Sequence, residues 1–544
     1  MPRILLLVLL LGLAAYRLTL VDRGHFFWRD EYRYLSAGAM LDHFEAGRYQ
    51  EAFSQPFQCL GRPAFVLFSV LPTLLQRQLA SIAGIDPNGL KAYGISCGFQ
   101  ILVSLGVTIC VYLLARTWTD NSWHGFLAAF IFSLLCFSNL WIRHLMPYYT
   151  SLVFFLSGLV VICRQVDNSR FPRGYAWLAG MLTLLGFAVY PAYYLFVALN
   201  GIVLATVARD KLRCVAEYIV GACCVVGALE AIARLGNVSY LSEIAATLFE
   251  HADQKDQGYG PEGYVFAWRY LYDVEGPAGM IVLGLFVIGA ALALLRLSVE
   301  WPRSLKATMA ATMGCYLLHA SASVLLNKTI FFGRFFGMYL PIMVCVAVFV
   351  VKRLNTGLWQ RLTTGTLVAA SLCSFAMFAI PYSQLTYPAE FLAQTVNDEN
   401  SLGGFTPNVI WAGSSAWVRE EKDFTQTFCL VLDTHPEGAE SPTIPVASHQ
   451  AAYESDCPWI GVNLSWVFRY RDRWCRFAAP PKYELVAEAA HPTSFPAITY
   501  EAYKPWERRR LGEQVEIMRI YRRRPDAEYK PVLAHDCETV RNLP

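Results

Sequence analysis

Charge is what this 544-residue chain has least of: Lys, Arg, Asp and Glu make up 16% of it, against roughly 25% in a soluble domain. That shortage excludes an ordinary water-soluble enzyme. The net charge of +3 and the lack of any long basic run give no footing for nucleic acid. Residues 381–544 show no Gly-rich phosphate loop, Ser/His/Asp signature or repeat, and their cysteines have no Cys-x-x-Cys spacing that would mark a zinc site. The halves show no inverted repeat, and the apolar runs lack the chain of carboxylates that an ion-coupled transporter would use. What is abundant is apolar residue, 55% of the chain. The deficit of charge is also uneven: residues 381–544 hold 17 basic and 22 acidic side chains, whereas the first 380 hold only 28 and 20. The chain therefore divides into a membrane body over 1–380 and a water-soluble tail over 381–544.

A spanning helix needs about 20 apolar residues, because hydrocarbon cannot satisfy an open backbone. Apolar runs predict eleven such helices, near residues 4–20, 92–115, 125–142, 145–163, 175–190, 192–208, 214–233, 277–295, 307–326, 335–351 and 362–380. The first is taken as an uncleaved span rather than a signal peptide, since no small-x-small cleavage pattern follows it. The segment Pro63–Ala80 is apolar but carries Pro72 at its centre and ends in Gln76, Arg77 and Gln78. Basic residues prefer cytoplasmic loops. If Pro63–Ala80 lies in the interface, thirteen Lys and Arg fall in inner loops, and only Arg143, Lys328 and Arg334 in short outer ones. That balance places the long loops 21–91 and 234–276, with the tail, on the extracytoplasmic side. The expected fold is thus mainly α: a polytopic membrane protein of about eleven spans with interfacial helices in the first outer loop. A C-terminal extracytoplasmic mixed α/β domain follows, with strand-like runs at Thr427–Leu432 and Val515–Tyr521.

Charges beside a membrane are costly and call for a reason. The first outer loop holds the cluster Trp28-Arg29-Asp30-Glu31-Tyr32-Arg33-Tyr34. Helical spacing of Tyr34, Ala37, Leu41 and Phe44 predicts a short surface helix, on which Asp30, Arg33 and Tyr34 share one side. Two readings of Asp30 stand side by side: a helix cap at the positive end of the dipole, or a carboxylate kept ionised by Arg33 and able to accept a proton.

The stretch from Asp30 through Arg33-Tyr34 to Met40-Leu41 resembles the first-loop motif of the GT-C glycosyltransferases, particularly the lipid A aminoarabinose transferases and the protein O-mannosyltransferases. Gly61-Arg62-Pro63 stands where the family often has a basic residue before Pro-Pro-Leu. Arg143-His144-Leu145-Met146-Pro147 and Gly333-Arg334 through Pro341 resemble two outer turns of that family. The resemblance implies an inverting transferase that moves a sugar from a polyprenyl-phosphate donor to a lipid, glycan or protein acceptor on the outer face. The setting it implies is most often a bacterial inner or plasma membrane. It also implies Asp30 as base with Glu31 as second candidate or orienting partner, and Arg33 and Arg62 as donor-phosphate ligands; Arg143 and Arg334 are further candidates for that role, placed there by topology alone. Each of these arginines also has a plain reading, as an interfacial residue meeting lipid headgroups. Tyr34, His144, Tyr259 and Trp268 are candidates for contact with substrate, the last two from the Gly-, Tyr- and acid-rich loop 234–276. No metal ligand set is assigned and no cofactor is prescribed, with room left for a divalent cation. The alternative function is a transporter or flippase of lipid-linked sugars that shares the cationic site without catalysing a reaction.

Overall fold

The computed structural model describes residues 1–21, 32–58, 62–85, 87, 90–165, 174–253, 262–295, 300–327, 332–354, 357–385, 395, 409–412, 459–463, 483–490, 495–502 and 517–524. Helices α1 (Pro2–Leu18), α2 (Tyr32–Glu45), α3 (Tyr49–Ser54) and α4 (Pro63–Ile82) come first, then α5 (Leu90–Thr119), α6 (Ser122–Leu134), α7 (Phe137–Leu140), α8 (Tyr148–Gln165), α9 (Tyr175–Val189) and α10 (Tyr194–Val207). They are followed by α11 (Lys211–Leu235), α12 (Tyr240–Asp253), α13 (Glu262–Asp273), α14 (Gly276–Leu294), α15 (Arg303–Leu325) and α16 (Gly333–Phe336), then α17 (Leu340–Arg353), α18 (Gly357–Ser374) and α19 (Ile380–Gln384). Each of the eleven apolar runs is mainly helical, those over 125–142 and 335–351 with an interruption. Among the described residues, six helices are long and apolar enough to cross a membrane, or seven if the bent pair α6 and α7 counts as one span. The chain is a polytopic membrane protein on this composition. One of the six is α4, a 20-residue helix that keeps Pro72 inside it. Its length and composition suit a span as well as an interfacial helix, so the loop-charge balance remains the argument for the interface.

The chain divides into two compact units. The first comprises Met1–Val21, Arg33–Leu75 and Ile95–Ser383. At its centre α17 is apolar on all sides and is buried from Leu340 to Val351, packed by α14 and α6, as a helix without a polar face must be. Around α9 the packing depends on small residues: a methyl group on Gly180 would stand 2.0 Å from the carbonyl of Tyr218, and one on Gly221 2.0 Å from that of Trp177. Backbones of α9 and α11 therefore approach as closely as side chains permit, the usual route to helix association in lipid. The outer face of α1 leaves Ile4, Leu7, Val8 and Leu11 exposed, while Leu13 and Arg17 turn inward.

The stretch 234–276, expected as an open loop, is mainly helical, formed by α12 and α13. Gly263, Phe266, Tyr270 and Leu271 are buried at helical spacing on α13, with Glu262 in its first turn where the dipole favours an acid. The Gly- and acid-rich composition hid that face. A helix, α2, follows Asp30 where the sequence predicts one.

The second unit comprises Asp22–Tyr32, Gln76–Gly94 and Gln384–Pro544. Its described residues include a four-stranded sheet in the order β1 (Val409–Ala412), β2 (Trp459–Asn463), β4 (Ile517–Arg523), β3 (Tyr483–Ala490), and one helix, α20 (Pro496–Ala502). β1 runs parallel to β2, the other pairs are antiparallel, and a bulge lies between Leu485 and Ala487. The strand-like run at Val515–Tyr521 corresponds to β4; Thr427–Leu432 lies outside the described residues.

Candidate functional site

The span expected over 125–142 is broken. α6 stops at Leu134, the chain bends by 62°, and a short helical segment resumes over Phe137–Arg143 before α8 begins at Tyr148. Irregular backbone at membrane depth is tolerated only inside protein, and residues 131–149 are all buried. Side chains satisfy its polar groups. Tyr149 donates its hydroxyl to the carbonyl of Phe137 at 2.6 Å and accepts from the N–H of Trp141 at 3.3 Å, and Gln100 donates to the carbonyl of Met146 at 3.2 Å. Glu275 accepts from the N–H groups of Cys136 at 2.6 Å and Phe137 at 3.0 Å.

This break delivers Trp141 and Tyr148 to an aromatic cluster. The ring of Tyr148 meets Trp141 at 4.6 Å and Tyr190 at 4.9 Å, both edge to face. Tyr190 meets Tyr193 at 4.8 Å and Phe335 at 6.3 Å. Tyr190 stands in extended backbone between α9 and a short turn that begins with Pro191, because a residue before proline is driven out of helical geometry.

Two of the sequence-predicted arginines converge here. Arg62, half-buried, lies with its guanidinium carbon 4.9 Å from the centre of the Tyr190 ring. Its carbonyl accepts from Phe65 and Val66, so it sits at the amino end of α4, with Pro63 in the first helical position. Arg334, on α16, donates Nη1 to the Tyr148 hydroxyl at 3.1 Å and stacks on Phe332 at 4.1 Å. Its own carbonyl accepts from the Tyr193 hydroxyl at 2.7 Å. Gly337 lets this turn approach the broken span, since a methyl group there would fall 1.9 Å from the Phe137 ring. One guanidinium thus lies on each ring of the Tyr148–Tyr190 pair. Arginines held in this way, one of them at a helix amino end, suit an anion such as phosphate.

The other predicted residues are placed differently. Arg143 is fully buried: it donates Nη1 to the carbonyl of Tyr382 at 2.9 Å and stacks on that ring at 5.2 Å, while the Tyr382 hydroxyl donates to the carbonyl of Leu140. His144 is also fully buried, its ring 6.1 Å from that of Trp141. Trp268 is exposed on α13. Arg33 and Tyr34 belong to α2, but their side chains lie outside the described residues, as do Asp30, Glu31 and Tyr259. Among the described residues, no group of three or more His, Cys, Asp and Glu lies together so as to hold a metal ion. Sequence reasoning missed Tyr148, Tyr190 and Tyr193. Their only signal was a density of tyrosines near two predicted outer turns, which a membrane-interface belt displays as well.

No protein-family model matches the chain, and no curated protein sequence matches it. Among solved structures it is similar to ArnT from Cupriavidus metallidurans. In the apo state the likeness covers 89% of this chain and 95% of that one, at 11% identity and a TM-score of 0.51. In the form bound to undecaprenyl phosphate it covers 89% and 96%, at 11% identity and a TM-score of 0.53. An oligosaccharyltransferase from Archaeoglobus fulgidus matches at 12% identity and a TM-score of 0.42; 74% of this chain is covered, and the chain spans 59% of that protein's length. At such identities the likeness to ArnT shows the fold, which is of the GT-C type.

Proposed function

We propose that this chain is a membrane glycosyltransferase that moves a sugar from a polyprenyl-phosphate donor to an acceptor hydroxyl at the extracytoplasmic face, with inversion. The observation that carries the reading is the convergence of Arg62 and Arg334 on the Tyr148–Tyr190 pair in a chain that shares the fold of ArnT, one of whose structures holds undecaprenyl phosphate. The acceptor oxygen attacks the anomeric carbon, the bond from that carbon to the phosphate oxygen breaks, and the lipid phosphate leaves. Negative charge grows on the phosphate as it leaves, and guanidinium groups in a site of low dielectric stabilise that charge. Arg62 and Arg334 take this role, with Arg33 assigned to the same phosphate by the first-loop motif. A hydroxyl gives up its proton only to a base, and Asp30 is assigned that role, with Glu31 orienting it or substituting for it. In this reading Arg143 and His144 support the broken span, and Trp268 and Tyr259 are open to acceptor contact.

The test is sugar transfer in proteoliposomes from a panel of polyprenyl-phosphate sugars, comparing wild type with Asp30→Asn, Glu31→Gln and Arg62→Ala. Transfer by the wild type that collapses in Asp30→Asn supports the assignment. Undiminished transfer by both carboxylate variants removes the proposed base. Absence of wild-type transfer from every donor, with lipid carrier translocated across the bilayer, would replace the enzyme by a flippase.

A further inference from the structure

Two fully buried ionisable side chains, Arg17 and Glu275, have no role in the reaction described above, yet both hold the segment that leads to the rings of Tyr148 and Tyr190. A helix that restarts after a bend must find acceptors for its first N–H groups. For α7 these come from a side chain 138 to 139 positions away: both oxygens of Glu275 are taken, by Cys136 and Phe137. Arg17 holds the other side of the same turn. It donates Nη2 to the carbonyl of Ser138 at 2.8 Å, Nε to Oδ1 of Asn139 at 3.0 Å and Nη1 to Ser104 of α5 at 2.9 Å. Asn139 in turn donates its amide to the carbonyls of Ser133 and Leu135, both at 3.0 Å, and so ties the restarted helix to the end of α6.

From this clamp the contacts run without a gap to the arginine site. Two residues after Asn139 comes Trp141, whose ring meets Tyr148 at 4.6 Å, and the Tyr148 hydroxyl accepts from Arg334. Burying a guanidinium and a carboxyl is costly, and well-packed apolar residues would hold a bundle together at least as well. What the polar pair adds is one defined geometry for the break, drawn from α1 and from the residue that precedes α14.

We propose that Arg17 and Glu275 are positioning residues for the arginine site, fixing the 62° break so that Tyr148 stands where Arg334 and a lipid phosphate meet. The proposal rests on the phosphate reading of that site. It is tested on the full-length protein in nanodiscs by two readouts, amide hydrogen exchange over 131–149 and equilibrium binding of radiolabelled undecaprenyl phosphate, for Glu275→Gln, Arg17→Met and the milder Ser104→Ala. The expected result is faster exchange confined to 131–149, unchanged exchange over 175–235, and binding weakened about tenfold in the first two variants, on the order of one charge-assisted hydrogen bond lost between the arginine site and the phosphate. Ser104→Ala should show a smaller effect in the same direction, and Arg17→Lys a partial recovery relative to Arg17→Met. Wild-type exchange over 131–149 in folded variants would overturn the clamp. Faster exchange with wild-type binding would overturn its link to the site. Should Glu275→Gln and Arg17→Met fail to fold, Ser104→Ala decides by the same two readouts. Arg334→Ala serves as the reference arm: if it binds undecaprenyl phosphate like wild type, the phosphate reading itself is lost, while the exchange data still decide the clamp.

Discussion

Arg62 and Arg334 act through geometry as much as charge, and that sets what their variants should do. A guanidinium stacked on a tyrosine face presents a fixed fork of donors, which an ammonium lacks. Arg62→Lys should therefore keep only a fraction of the wild-type transfer rate, and Arg62→Ala should lose about 10- to 100-fold, as expected for removal of a hydrogen bond to a charged group; equal rates for Arg62→Lys and wild type would mean that charge alone matters. Tyr148→Phe keeps the ring against Trp141 and Tyr190 but removes the oxygen that accepts from Arg334. It should lower transfer about 3- to 10-fold, with thermal stability within about 1 kcal/mol of wild type. The arginines were legible because a charge at a membrane surface is conspicuous, but that Arg62 and Arg334 lie on neighbouring rings is seen only in the structure. Their aromatic partners were not, since only the fold distinguishes Tyr148 and Tyr190 from the other tyrosines of the chain. Arg143 looked equivalent in the sequence, yet the structure secures it to the carbonyl and ring of Tyr382.

At the level of elements, apolar length predicted where helices lie and composition alone could not predict where they break. The run over 125–142 is apolar apart from Ser133, Ser138 and Asn139, too few to mark a bend at Leu135; Asn139 and Tyr149 satisfy part of it, and the remaining donors and acceptors come from α1 and from the residue before α14. The stretch 234–276 failed in the opposite sense. Its glycines and acids suggested an open loop, but the buried face of α13 follows the helical period. The close approach of α16 to the broken span yields a sharp prediction. Gly337→Ala puts a methyl group 1.9 Å from the Phe137 ring, so the turn carrying Arg334 must move. We expect a loss of about 1–3 kcal/mol, typical of overpacking, seen as a lower unfolding temperature in detergent, together with reduced transfer. Full stability and activity in Gly337→Ala would show that this packing is not needed.

The whole molecule follows from its uneven distribution of charge: a helical body that accommodates lipid and a tail that carries a sheet. From the loop-charge balance we propose that the tail lies outside, so a cysteine introduced at Ser414 should react with a membrane-impermeant thiol reagent added from that side. Reaction only from the cytoplasmic side would mean that α4 is a span or that another span was miscounted. In the proposed function the likeness in fold to ArnT is what distinguishes Arg62 and Arg334 from ordinary interfacial residues. The central claim, that this pair grips a lipid phosphate, is tested most directly by the affinity of purified wild type, Arg62→Ala, Arg334→Ala and the double variant for undecaprenyl phosphate. The account predicts a loss of about 10- to 100-fold in each single variant, and a double variant that loses less than the product of the two, because the residues share one ligand. Wild-type affinity in both single variants would contradict it.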